Sequence, residues 1–271
     1  MRPQVVRPLL MCAVLVAAFA SGCLGGADDE EDVGPISLVV YYETTAGTIT
    51  ESIQNNQQVS EQGVEVVFDY SYTKSSEGDI SSFVYDPGDG SNPVTINAAD
   101  TSEISYTYLT HGMFSAAVGA IDAEGNERFE NVTIRIDKEI TWTDSQTSDP
   151  RTMNIDATPD CECQLPEQIK IDSTVTNPSN GFGIGGSPVT VTWYLNNSEG
   201  DAAAESPPEQ LADGQEGTWA HNEFAPMAGV WTLEVGLNQD QENVDVSHIV
   251  TIAYAAEESA TNPFPTDEST P

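Results

Sequence analysis

Val64-Glu65-Val66-Val67-Phe68-Asp69-Tyr70-Ser71-Tyr72 sets Val64, Val66, Phe68, Tyr70 and Tyr72 at every second position. Successive side chains of a strand point to opposite faces, so this spacing describes a strand with one face in a core. The same rhythm returns in Phe114, Ala116, Val118 and Ala120, then in Val132, Ile134 and Ile136. Beyond Lys138 it recurs in Ile169, Ile171 and Val175, in Val189, Val191, Trp193 and Leu195, and in Trp231, Leu233, Val235 and Leu237. Turn-formers separate the runs: Ser76 to Asp79, Asp122 to Asn126, Asn196 to Gly200, and Ala228-Gly229. No stretch sustains a helical period. Short alternating strands at this spacing predict an all-β chain of two antiparallel β-sandwiches in tandem, 35–137 and 138–254, with the boundary at Asp137-Lys138.

Between the first two groups of strands lies Tyr85-Asp86-Pro87-Gly88-Asp89-Gly90. Gly88 and Gly90 permit the positive φ of a tight turn, and Asp86 and Asp89 are short acceptors for the turn's own amides. Downstream follow Tyr106-Thr107-Tyr108, Gly112-Met113-Phe114, and Asp122 with Gly125. Order and spacing resemble the W-D-F-G-D-G, H-x-Y, G-x-Y and D-x-x-G signature of PKD domains, the polycystic-kidney-disease type of immunoglobulin-like sandwich. Tyr85, Pro87 and Tyr106 stand where that family has Trp, Phe and His. The resemblance covers 35–137. It implies a spacer, or a protein or carbohydrate contact, on a surface protein or secreted hydrolase, with no catalytic group in the signature. Tyr85 and Tyr108 offer large faces to a core while each hydroxyl seeks a partner. Asp79, Asp86 and Asp89 are also weighed as a calcium site, although their spacing matches no EF-hand. The second sandwich shows the same immunoglobulin-like rhythm, and Met227 to Val235 is similar to the G-x-Y strand start of the first.

The chain opens with Arg2 and Arg7, an apolar run from Leu9 to Ala20, and Ala20-Ser21-Gly22-Cys23. Residues 1–22 read as a secretory signal, too short for a span of about 20 apolar residues. A cysteine after that cut resembles the lipobox of prokaryotic lipoproteins, which implies lipid on Cys23. Plain cleavage and an uncleaved anchor are the alternatives, and all three hold the remainder outside the cytoplasm. Residues 23–34 form an acidic flexible linker; 255–271, rich in Glu, Ser, Thr and Pro with Phe264 its only large apolar side chain, read as a tail without structure.

Asp and Glu number 44 against 8 Lys and Arg, for a net charge of −36. Nucleic acid and anionic lipid would be repelled by such a chain. Acid spread along the whole sequence suits a halophilic or marine setting, because the screening length falls to about 3 Å in molar salt. Cys161-Glu162-Cys163 sits between strands, with three readings open: a local disulfide, free thiols or a link to another chain, and a metal site. His111, His221 and His248 are scattered, and His248 lies among Val246, Val250 and Ile252 as a core-edge residue. No zincin, nucleophile-elbow or Walker pattern occurs. Gly181 to Gly186 is glycine-rich but precedes a strand, not the helix a dinucleotide loop needs. Asn131 and Asn196 begin glycosylation sequons, Asn196 in a polar stretch from 196 to 217 that reads as a long exposed loop. Taken together, these features predict a lipid-anchored, non-catalytic surface protein without a cofactor, serving adhesion, envelope architecture or protein contact. The alternative is an accessory module for polysaccharide or solute, for which Trp142, Trp219 and Tyr194 are the candidate exposed aromatics.

Overall fold

The computed structural model describes residues 34–179, 187–238 and 243–265, all built from strands and turns. Cys23, the signal and nearly all of the acidic linker lie outside the described residues, as does the glycine-rich 180–186 segment. The first half contains β1 (Ile36–Ser37), β2 (Ala46–Gln54), β3 (Gln57–Gln62), β4 (Val64–Asp69), β5 (Lys74–Ser75), β6 (Ile80–Asp86), β7 (Val94–Asn97), β8 (Glu103–Tyr108) and β9 (Gly112–Asp122). β10 (Glu127–Thr147) is 21 residues long. Then come β11 (Met153–Asp156), β12 (Gln168–Thr176), β13 (Val189–Asn196), β14 (Ala202–Glu205), β15 (Glu209–Leu211), β16 (Glu216–Phe224), β17 (Val230–Leu237) and β18 (Val244–Ala253).

Two cores form, as alternation at two sets of strands requires. Phe68, Tyr85, Tyr108, Phe114 and Ile134 centre the first, between the β4–β8 pair and a sheet of β7, β6, β9 and β10. Trp142, Trp193, Ile171, Leu233 and Val250 centre the second, between β11-β17-β13 and β16-β12-β18-β10. The polar stretch 196–217 is not the exposed loop its composition predicts. β14 and β15 inside it both pair with β13, and Leu211 and Ser206 are buried.

The boundary at Asp137-Lys138 is not a linker. Both residues lie inside β10, whose residues 127–136 pair with β9 and whose residues 138–147 pair with β18. β2 runs parallel to residues 135–143 of the same strand. Since β2 and β18 flank residues 138–143 on opposite edges, β9 and β18 share one edge of β10 in succession. The pleat keeps its parity throughout: Val132, Ile134 and Ile136 enter the first core, Ile140 and Trp142 the second. Lys138 holds the same-face position between them, and its Nζ meets Glu51 at 2.8 Å. β2 repeats the arrangement with Ile49 in the first core, Glu51 at the crossing and Ile53 against the second. The sandwiches are therefore two cores built on shared strands.

The tail also differs from its expectation. Residues 255–265 run back over the first sandwich, on the edge of β10 that β2 occupies further along. Thr133 donates its amide to Ser259 Oγ at 2.9 Å, and Ser259 donates its own to the Thr133 carbonyl at 3.0 Å. Arg135 pairs with Glu258 at 2.9 Å and also with Asp137. Tyr42 and Asn262 exchange backbone hydrogen bonds of 2.8 and 3.0 Å. A polar sequence hides this docking, because polar side chains and backbone groups make these contacts.

Candidate functional site

The signature turn follows β6. Gly88 has φ 71° and Gly90 has φ 84°, where any Cβ is strained. A Cβ at Gly88 would also lie 2.5 Å from the Ser115 carbonyl oxygen, whereas one at Gly90 would meet open space. Asp86 Oδ1 accepts from the Gly88 amide at 3.0 Å, and Asp89 Oδ1 from the Ser91 amide at 2.9 Å. Asp89 Oδ2 accepts from the Tyr106 hydroxyl, so tyrosine here supplies a donor at the position where the family signature has histidine. Asp122 closes the other end of the sandwich, accepting from Ser75 Oγ at 2.7 Å and from the Glu124 and Asn126 amides. These bonds, that from the Asn126 side chain first, hold its carboxyl below the usual carboxylate range.

Tyr108 donates its hydroxyl to the Pro87 carbonyl at 2.8 Å and lies 2.6 Å from the Tyr85 hydroxyl. Its single proton is thus committed to Pro87, and Tyr85 is the donor to Tyr108. Burial pushes both phenols up in pKa. The two rings sit in a run of aromatics from Phe68 through Tyr85, Tyr106 and Tyr108 to Phe114, with successive centroids 4.5–5.6 Å apart. This chemistry is structural: every polar atom of the turn that is named here is spent on the turn itself or on tying it to β8.

The sequence candidates for chemistry do not converge. Asp79, Asp86 and Asp89 form no cluster, and no group of three or more potential metal ligands exists among the described residues. Cys161 and Cys163 are joined in a disulfide with a Cα–Cα distance of 5.2 Å, and Cys161 packs on the first core. His111 is buried at the seam between the cores, with Nδ1 2.8 Å from the Tyr254 hydroxyl and Nε2 3.2 Å from the Asp156 carbonyl. Desolvation lowers its pKa. His248 is in the second core, not at its edge. It stacks on Trp142 with centroids 4.9 Å apart, and its Nδ1 lies 2.8 Å from Ser173 Oγ, which accepts from Trp193 Nε1 at 2.6 Å. A serine beside a histidine has the outline of an activated nucleophile. Here both are buried, no carboxylate orients His248, and its Nε2 has no hydrogen-bond partner among the described residues. Burial drives the imidazole pKa down to about 3.

Of the sequons, Asn131 is exposed on β10, while Asn196 ends β13 half-buried and donates to Thr232 Oγ1 at 3.3 Å. Asn196 thus ends a strand and does not lie in the exposed loop that its sequence surroundings predict. Among the candidate aromatics, Trp142 is only 1 % exposed. Tyr194 is half-buried, and half-buried Trp219 stacks on His221 on the edge strand β16.

The exposed aromatic cluster lies elsewhere. Tyr41 exchanges backbone hydrogen bonds of 2.9 Å each way with Asp69, which lays residues 41–44 beside β4. β4 turns Val64, Val66 and Phe68 inward and Glu65, Val67 and Asp69 outward. The docked C-terminal segment then brings Phe264 over this face. Its ring meets Tyr41 at 4.9 Å and Tyr72 at 5.4 Å, both edge-on, and Tyr41 meets Tyr72 at 5.9 Å. Tyr72 is 51 % exposed and Phe264 43 %. Beside this cluster Tyr41 and Phe264 wall a groove of about 280 Å³, lined also by Tyr42, Glu43, Glu65 and Asp69 around Val67. Sequence reading missed it because its two aromatic walls are more than 200 residues apart. The one signal was Phe264 itself, a lone large apolar side chain in a polar segment.

The family model for the PKD domain matches residues 49–136. Among solved structures, a carbohydrate-binding module of the β-sandwich superfamily is 11% identical, covering 82% of this chain and 97% of its own, with a TM-score of 0.30. The PKD1 domain of Vibrio anguillarum Epp is 14% identical over 38% of this chain and 96% of its own, TM-score 0.25. The fibronectin(III)-like modules of Clostridium thermocellum CbhA are 12% identical over 80% and 94%, TM-score 0.24. A comparison with curated proteins finds no match. The glycine turn, its tyrosine network and the matched span together identify residues 49–136 as a PKD domain.

Proposed function

We propose that the chain is a non-catalytic contact module displayed outside the cell, tethered by lipid on Cys23 and serving adhesion, envelope architecture or the docking of another surface protein. The observation that carries this reading is the continuous β10, which joins two cores into one body while the buried His111, His248 and Ser173 are tied into the scaffold. Such a build presents a rigid surface and gathers no reactive centre among the described residues. Mass spectrometry of the membrane fraction is expected to find a lipid-modified peptide beginning at Cys23. An intact peptide spanning Gly22 and Cys23 would overturn the tether.

A second reading, an accessory module for polysaccharide, is favoured by the exposed rings of Tyr72 and Phe264 beside half-buried Tyr41. Glycan arrays and pull-downs with the purified protein separate the two. Saccharide binding abolished by Phe264→Ala would establish the second reading, and capture of a surface protein that survives competing saccharide would establish the first. Turnover of any small molecule by the protein would remove both.

A further inference from the structure

We propose that the groove between Tyr41, Phe264 and the outer face of β4 binds a cationic side chain, a lysine or arginine presented on a partner protein, and this rests on the reading of the chain as a contact module. The groove lining carries three carboxylates, Glu43, Glu65 and Asp69, and no lysine, arginine or histidine. Asp69 gives one oxygen to the Ser71 amide at 2.8 Å; no side-chain ion pair engages Glu43 or Glu65 among the described residues. Two aromatic walls add the negative faces of their π systems, which attract an ammonium or guanidinium group within about 6 Å of the ring centroid. Val67, 37 % exposed at the floor, offers apolar contact to the methylene stem of a long basic side chain.

Ring geometry separates this ligand from a sugar. The groove's two aromatic walls, Phe264 and Tyr41, stand at 62° to each other. Rings so inclined make a corner, which suits a compact cation enclosed from several sides. A pyranose ring stacks on a flat face. Charge complementarity acts at longer range as well, since a chain of net charge −36 attracts basic partners and speeds their encounter.

The probe is an end-blocked pentapeptide bearing two lysines, compared with a twin bearing two glutamines, titrated into the purified protein by calorimetry. A chain this acidic attracts any polycation, so site specificity is read from variants. Glu43→Gln with Glu65→Gln is expected to weaken the lysine peptide at least fivefold. Glu199→Gln with Glu216→Gln, which removes equal charge from exposed positions elsewhere, is expected to change affinity less than twofold. Phe264→Ala is expected to match the first pair, and the first pair keeps the result interpretable if Phe264→Ala loosens the docked segment. The glutamine twin is expected not to bind. Equal weakening by both glutamate pairs, binding of the glutamine twin, or no binding of the lysine peptide overturns the proposal. Capture of a surface protein whose binding is indifferent to the groove variants would overturn it too, while leaving the contact-module reading intact.

Discussion

At the scale of single residues, the two turn glycines are not equivalent. Both hold positive φ, but only Gly88 backs onto a carbonyl, that of Ser115. Gly90→Ala is expected to cost about 1 kcal/mol from left-handed strain, and Gly88→Ala about 3 kcal/mol because the β6–β9 backbone must also shift. Urea unfolding of the two variants checks the order, and equal costs would remove the close approach from the explanation. The tyrosine pair ranks in the same way. Tyr108→Phe strands both the Pro87 carbonyl and the Tyr85 proton, at about 2–3 kcal/mol, whereas Tyr85→Phe removes one donor, at about 1 kcal/mol. Much of this turn was legible beforehand, since Gly and short acids at fixed spacing state a local backbone geometry. The Tyr106–Asp89 bond was not, because Tyr106 lies on β8 and only the β-sandwich brings it to the turn.

At the scale of elements, the buried imidazole of His248 ties the second core to pH. Its pKa in the folded chain, about 3, lies below its ordinary value of 6.5. Protons therefore bind the unfolded chain more readily, and stability is complete above about pH 6.5 and falls as pH drops toward 3. The slope is about 1.4 kcal/mol per pH unit below about pH 6, with His111, also lowered, adding in the same direction. Chemical unfolding at pH 7 and pH 5 is expected to show the loss, and His248→Gln is expected to shrink it. An unchanged difference in that variant would place the acid sensitivity elsewhere. Sequence alternation identified His248 as lying between apolar neighbours but not how deep it sits, because depth depends on Trp142 from β10 stacking above it. The alternating strands themselves were readable because period two is a local property. β14 and β15 escaped it: at four and three residues each is too short to show a period, although Ala204 and Leu211 pack on the second core.

At the scale of the whole molecule, the boundary near residue 137 falls where one core gives way to the other, inside a strand that continues while apolar alternation pauses at Lys138. The pause is the Lys138–Glu51 pair filling the gap between cores. Shared β10 and β2 predict one cooperative unfolding transition for both sandwiches, in contrast to independent tandem domains. Calorimetry giving two separable endotherms would contradict the coupling. Charge sets the second molecular prediction. Five of the chain's cations beyond Arg7, namely Arg128, Arg135, Lys138, Arg151 and Lys170, sit in ion pairs with carboxylates, and most of the acid remains uncompensated. Added salt is expected to raise the melting temperature up to molar concentrations by screening self-repulsion, and indifference to salt would argue against it. The return of residues 255–265 onto the first sandwich has a mechanical consequence. Ile36 to Tyr42 and Ser259 to Phe264 are both held there, so a pull applied between these two stretches runs through the first sandwich and leaves the Trp193 core unloaded, a side branch off the line of force.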